Sequence, residues 1–242
     1  MDPLPLSKIT EDDLLPRRSA ADRVCAVVCG KALLSALERQ TRPPDDVLVH
    51  SGPVRERLEV AADRDATWFW LLEEDVVPEP TALDHLLAPV ADSDLLSPVL
   101  MASKVVGPDG LLHPRSAPWP RTRGEIVITA CQHRLMSLRL ASWGSLLVHR
   151  DALAHHGPPR EDFRSGADDL EWTARILTRG HGYLAPTSIA TRSGSREALS
   201  RPELLARVRM ILGNAWVSDA RAWFAFRVAD DAVRSRRAKR MV

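Results

Sequence analysis

A chain of 242 residues with 33 Lys plus Arg, 32 Asp plus Glu and 45% apolar residues is an ordinary globular protein, and global disorder is excluded. The length suits one large domain with an appendage or two small ones. A net charge of +1 excludes a bulk-basic nucleic-acid binder, so nucleic acid is not an expected partner. Cys25, Cys29 and Cys131 form neither an even disulfide set nor a CxxC pair. They read as reduced thiols in a cytosolic protein, with Cys25 and Cys29 as small hydrophobes in an apolar run.

The segment Met1 to Arg18 carries Pro3, Pro5, Pro16 and the acids Glu11, Asp12 and Asp13. It lacks the apolar core of a signal peptide, and no stretch reaches the about 20 apolar residues of a membrane span. The expected location is therefore cytoplasmic. Residues 1–22 form a Pro-rich lead, 23–195 the main domain and 196–242 a helical extension with a basic tail.

Arg23 to Gly30 reads as a buried strand, Lys31 to Gln40 as a helix with Leu33, Leu34 and Leu37 on one face, and Val47 to Val49 as a second strand. Strand, helix and strand within about thirty residues make a βαβ unit with parallel pairing. Ser51 to Ala62 is the next crossover helix. Trp68 to Leu72 is a third buried strand that runs into Glu73, Glu74 and Asp75. Open α/β sheets bind ligands beyond the carboxyl ends of their strands, which makes those acids site candidates.

Pro78 to Leu87 reads as a helix, Leu95 to Leu100 as a strand, and Gly107 to Gly110 as a turn. Prolines and arginines accumulate from His113 to Arg123, which reads as a loop. Glu125 to Cys131 and Ser145 to His149 read as strands, Asp151 to His156 as a helix ended by Gly157, Asp168 to Arg179 as a helix and Tyr183 to Ala190 as the last strand. Trp68 and Trp70 alternate on their strand as core residues. Among the remaining histidines, His155 and His156 suit a helix C-terminus, while His113, His133, His149 and His181 have no metal-ligand spacing.

Each acidic cluster has two readings. Glu73, Glu74 and Asp75 could hold a hard cation together with a phosphate, and acids at strand ends are also ordinary solvated punctuation. Asp168, Asp169 and Glu171 open a helix, where the macrodipole and capping favour carboxylates in any case.

The order of these segments resembles that of the inverting, family 2 type of GT-A glycosyltransferases, from about Arg23 to Arg192. "VCAVVCGKALLSALERQTRPPDDVLVHSG" is similar to that family's first βαβ unit. In "WFWLLEEDVVPEPTALDHLL" Glu73, Glu74 and Asp75 take the place of its DxD motif. "WGSLLVHRDALAHHG" resembles the acceptor-side strand and helix, and "SGADDLEWTARILTRGHGYLAP" resembles the helix bearing the xED-type acids. The Asp-Asp-x-acid arrangement is similar to that of bacterial galactofuranosyl and rhamnosyl transferases.

The resemblance implies an α/β fold, a GT-A Rossmann-like sandwich with a mixed, mainly parallel sheet and a C-terminal helical extension. It implies inverting transfer of a sugar from a nucleotide-diphosphate donor to a hydroxyl on a glycan, lipid-linked or other acceptor, in cell-envelope glycan or glycolipid synthesis. Mn²⁺ or Mg²⁺ on Asp75 and Glu73 would neutralise the leaving diphosphate. Asp169 would be the catalytic base with Asp168 beside it, and Arg175 a candidate support. Glu73, Glu74, Asp75, His50 and Arg192 would meet the donor, and Trp143, Gly144 and Trp172 the acceptor.

Two positions depart from the family pattern. His50 follows the second strand where many relatives have Asp, and Thr191 and Arg192 follow the last strand where many have a metal-binding His. Arg binds phosphate in a bidentate fork, so Arg192 could take over part of the metal's role, and the same change also fits a noncatalytic relative. The alternatives are a GT-A-like binding or scaffold protein and a nucleotidyltransferase, although the glycine-rich phosphate loop of the latter is not evident. The C-terminal aromatics Trp216, Trp223, Phe224 and Phe226 precede Arg234, Arg236, Arg237, Lys239 and Arg240. They suit packing on the main domain, packing on a second subunit in a homo-oligomer, or peripheral contact with anionic lipid at the inner face of a membrane.

Overall fold

The computed structural model describes residues 22–91, 97–122, 124–160 and 168–193. The proposed lead, the C-terminal aromatics and the basic tail lie outside them. Among the described residues no helix is long and apolar enough to cross a membrane.

Nine strands form one mixed sheet in the order β2-β1-β3-β8-β5-β9-β7-β6, with β4 on the end of β9. β1 (Val24–Val28) and β3 (Trp68–Leu72) are buried along their whole length, as continuous apolar runs in the middle of a sheet must be. β2 (Asp46–Val49) and β3 flank β1 in parallel. α1 (Leu34–Glu38) and α2 (Val54–Ala62) make the two crossovers.

Side chains alternate between two apolar layers. Cys25, Val27, Phe69 and Leu71 point to the layer of α2, α5 (Arg150–His156) and α6 (Asp168–Ile176), through Leu58, Leu153 and Trp172. Val24, Ala26, Val28, Trp68 and Trp70 point to the layer of α1, α3 (Ala82–Leu87) and α4 (Glu125–Gln132), through Leu37, Leu83 and Ala130. The chain is thus a three-layer α/β/α sandwich, and both tryptophans of β3 are core as expected.

The second half is mostly antiparallel. β8 (Ser145–His149) inserts between β3 and β5 (Pro98–Val106) and runs against both. β5 pairs in parallel with β9 (His181–Arg192). β9 then carries β7 (Met136–Leu140) on its first half and β4 (Val76–Pro78) on its last three residues, both antiparallel. Its partners on β5 jump from Ala185 to Ile189. Pro186, which has no N–H to give a ladder, falls in the gap.

At that gap the Ser188 hydroxyl turns inward and donates to Ala82 O at 2.8 Å. It also meets Ser103 at 2.8 Å; Ser103 lies 2.7 Å from Ser145, whose oxygen accepts from the Trp70 indole at 3.0 Å. This buried chain ties β3, β8, β5, β9 and α3 together with its polar atoms satisfied.

The expected strand at Glu125 to Cys131 is instead helix α4. The β-branched run Ile126, Val127, Ile128 and Thr129 suggests a strand, but the core accepts Ile126 and Ala130, four apart, and leaves Ile128 63% exposed. Burial on a helical stripe outweighs residue propensity. The expected loop from His113 to Arg123 holds a short 3₁₀ turn, Pro114–Ser116, and a two-residue strand, β6 (Trp119–Pro120), which pairs with β7. β7 itself had no sequence expectation. The expected helix at Pro78 to Leu87 begins only at Ala82, because Val76 to Pro78 are drawn into the ladder with β9.

Cys25 is buried, Cys29 half-buried and Cys131 exposed, and all three are free thiols. Burial, and next the nearby Asp46 carboxylate, push the Cys25 thiol up from 9.0 to about 11. A raised folded value means stability present below pH 9 and lost as the pH rises toward 11. An alkylating agent at pH 8 is expected to label Cys131 in the native protein and to spare Cys25 until urea is added, as peptide mass mapping would show. Ser103→Ala, which deprives both Ser145 and Ser188 of a partner, should cost about 1–3 kcal/mol in urea unfolding.

Candidate active site

The carboxyl ends of β1, β2 and β3 open on one edge of the sheet, and the two acidic clusters are built around it. β3 ends at Leu72. The Glu73 N–H donates to Gly144 O at 3.2 Å, and Val76 N–H closes the turn on Glu73 O at 3.0 Å. β4 then runs back against β9 in a register that sets Val76 opposite Arg192. The Ser193 N–H and hydroxyl both donate to Asp75 O, at 2.7 and 3.1 Å.

This register brings Arg192 onto the acids. Its Nη1 donates to Asp75 Oδ2 at 2.9 Å, and its Nη2 donates to Glu73 Oε2 and to Ser116 Oγ, the latter at 3.2 Å. Arg192 is 6% exposed, its Nε has no partner, and the two carboxylates are each about a third exposed. Glu74, between them in sequence, faces solvent.

Arg57, on the first turns of α2, is a residue that sequence reasoning missed. It is 9% exposed and its Nε is unpartnered. Desolvation pulls its pKa down, while Cys29 at the end of β1 and Glu73 and Glu74 at the end of β3 pull it up. The guanidinium therefore lies under the edge beside the acidic turn. Its sequence signal was a charged residue on the apolar stripe of α2 that Val54, Leu58 and Ala61 define at helical spacing. His50, at the end of β2, is half-exposed. Its Nδ1 accepts from Gly52 N–H at 3.0 Å, and a Cβ on Gly52 would approach the ring at 2.6 Å, so a larger residue there would shift the imidazole.

The second cluster opens α6. β9 starts at the far edge of the sheet, so the helix leading into it starts toward the carboxyl edge, about 13 Å away for nine residues. Asp169 is 4% exposed, with its Oδ1 accepting from Leu170 N–H at 2.7 Å, and Asp168 is half-buried. One turn on, the Thr173 hydroxyl accepts from Ala141 N–H at 3.1 Å and lies 2.9 Å from Ala141 O. Two residues later Trp143 packs on Trp172 with ring centroids 5.3 Å apart. Gly144 then gives its carbonyl to Glu73. The connection Ala141 to Gly144 thus contacts the turn at Glu73 and the helix α6 that carries the second cluster.

Several expectations change here. Trp172 is fully buried with its indole N–H on Gly157 O at 2.8 Å, and Trp143 is 7% exposed beneath it. Neither turns an open face to a sugar, because the pair fills the joint between α6 and the sheet. Gly144 is placed at the edge, where a Cβ would press on Val105 at 3.0 Å and on Ser116 Oγ at 3.1 Å. Arg175 is a strut: it pairs with Glu171 at 2.9 Å and donates to the carbonyls of His156 and of Pro158, the latter at 3.1 Å, joining α6 to the end of α5. A cavity of about 340 Å³ between α2 and α5, walled by Leu58, Phe69, Leu153 and Pro158, is lined by none of the acids of the two clusters, nor by His50, Arg57 or Arg192.

The implied Mn²⁺ or Mg²⁺ does not fit the residues as arranged. Glu73 and Asp75 each commit an oxygen to Arg192. No group of three or more His, Cys, Asp or Glu among the described residues is arranged to hold a metal.

No protein-family model matches the chain, and no curated protein matches it. Among solved structures, GalNAc-T7 determined with UDP, GalNAc and Mn²⁺ superposes with a TM-score of 0.53 at 11% identity, over 80% of this chain and 48% of that one. TarS of S. aureus superposes with a TM-score of 0.51 at 14% identity, over 80% of this chain and 40% of that one. The chain thus spans less than half the length of either. These neighbours are GT-A glycosyltransferases, and the fold of this protein is the GT-A sandwich that its sequence resembles.

Arg192→Met leaves two carboxylates without their cation and should lower stability by about 1–3 kcal/mol, whereas Arg57→Met removes a desolvated charge that makes no side-chain hydrogen bond among the described residues and should leave Tm unchanged or raise it. Differential scanning calorimetry of the two variants reads the contrast.

Proposed function

We propose that the protein is an inverting glycosyltransferase that moves a sugar from a nucleoside-diphosphate donor to a hydroxyl acceptor, in cell-envelope glycan or glycolipid synthesis. The observation that supports this best is the Ala141 to Gly144 connection. It ties the turn that carries Glu73 to α6, the helix that carries Asp168 and Asp169, at an edge of a GT-A sheet where open α/β folds bind ligands.

On this reading the nucleotide lies over the ends of β1 and β2. His50 offers its free ring nitrogen to the base or ribose, and Arg57 donates hydrogen bonds to the phosphates. The acceptor enters past Gly144, with Asp168 orienting its hydroxyl. The hydroxyl oxygen attacks the anomeric carbon from the face opposite the diphosphate and its proton passes to Asp169, while the bond to the diphosphate oxygen breaks and the nucleoside diphosphate leaves. In GalNAc-T7 the bound Mn²⁺ is of the kind that can neutralise such a leaving group; no step here is routed through a metal, because the acids are already engaged. A second reading, a noncatalytic GT-A-like binding protein, is favoured by the burial of Asp169 and its bond to its own helix N-terminus.

Asp169→Asn keeps the shape and removes the basicity. Transfer measured with a panel of nucleotide sugars should fall by about 10²–10⁴ with the donor Kd nearly unchanged, and Asp168→Asn should be milder. Wild-type donor binding without transfer to any acceptor would move the assignment to the noncatalytic reading.

A further inference from the structure

The cation of this site is part of the chain. Arg192 is bonded at three points, to Asp75, Glu73 and Ser116, and is 6% exposed. A divalent ion seeking both carboxylates would have to expel that guanidinium and leave it without an anion in a dry site, at a large cost in free energy. Magnesium and manganese prefer about six oxygen ligands, and two partly engaged carboxylates are a poor start.

Glu73 and Asp75 are balanced by Arg192 and Arg57, and Glu74 is exposed and screened by water. Arg57 has an Nε without a partner, and its guanidinium makes no side-chain hydrogen bond among the described residues while being nine-tenths buried. A buried charge in that condition is costly until an anion reaches it. A phosphate oxygen supplies what it lacks, since a guanidinium offers five donors in a fork that matches phosphate geometry. Without Arg192 the same edge would present two carboxylates against one guanidinium, and an incoming diphosphate would need another cation.

We infer that the protein takes the diphosphate of its donor without a divalent metal, with Arg192 neutralising Glu73 and Asp75 in place and Arg57 donating to the phosphate oxygens. The inference rests on the nucleotide-sugar reading given above, and the experiment separates the two. UDP, GDP and dTDP are titrated into the full-length protein by calorimetry, once with EDTA and once with Mn²⁺. In parallel, electron paramagnetic resonance follows the signal of free Mn²⁺ in the presence of each nucleotide.

For the nucleotide that binds, wild-type affinity should be the same in both buffers, and the protein should add no Mn²⁺ uptake beyond that of the nucleotide alone. Arg192→His opens the two carboxylates and adds an imidazole. Its nucleotide affinity should fall by about tenfold or more in EDTA and return with Mn²⁺, about 1.4 kcal/mol for each factor of ten. Arg192→Lys keeps the charge and should keep metal independence, which controls for damage to the fold together with its melting temperature. Nucleotide binding by the wild type that is tenfold tighter with Mn²⁺ overturns the inference and leaves the donor reading standing. No binding of any of the three in either buffer, by a protein that melts normally, overturns both.

Discussion

A guanidinium that is almost wholly buried needs carboxylates within reach, and the Arg192 pair with Glu73 and Asp75 is the constraint around which this end of the molecule is arranged. To satisfy it, β9 must run twelve residues, three beyond the nine of β5. The chain after β3 must also turn within the acidic tripeptide, so that β4 can lie against the end of β9. The bulge at Pro186 to Ser188 absorbs the extra length, and the inward hydroxyl of Ser188 fills the break with hydrogen bonds to Ser103 and Ala82. Ser116, from the turn after β5, completes the shell around the guanidinium.

The second organising element is a connection four residues long. Thr173 fixes Ala141, Trp143 packs on Trp172, and Gly144 bonds Glu73. Any movement of α6 is therefore felt at the acidic turn through rigid contacts of backbone and indole. A methyl group at Gly144 would press on Val105 and Ser116, which would each have to give by a few tenths of an ångström. The two tryptophans expected to meet the acceptor are packed into this joint. Large aromatic surfaces contribute most when fully buried, and their indole geometry sets the angle at which α6 meets the sheet.

Charge in the site is arranged against the grain of burial. Arg57 sits on the buried stripe of α2, and its guanidinium makes no hydrogen bond among the described residues. A position that breaks the local rule without a compensating contact is where a binding role is to be sought. Arg192 shows the opposite arrangement, with most of its donors satisfied internally. The two arginines therefore differ in kind: Arg192 is hydrogen-bonded counterion to the acids, while the Arg57 guanidinium feels Glu73 and Glu74 only as nearby charges and makes no hydrogen bond among the described residues.

Much of the first half of the fold was legible in the sequence because its determinants are local. The apolar runs Val24 to Val28 and Trp68 to Leu72, the helical stripes between them, and the acids directly after Leu72 follow from periodicity and turn chemistry within a few residues. The position of Glu73 to Asp75 at the carboxyl edge followed as well, since a parallel strand can end only there. What depended on partners far along the chain did not. Glu125 to Cys131 is a helix because of the surface that receives Ile126 and Ala130, and β7 is a strand because β9 offers it an edge. The sequence could name Arg192 as an unusual residue at the end of the last strand. Only the antiparallel register of β4 and β9, which pairs Val76 with Arg192 far along the chain, decided that its charge would be spent on Glu73 and Asp75, because a pairing between distant segments is set by packing of the whole sheet and leaves no trace in the spacing of either one.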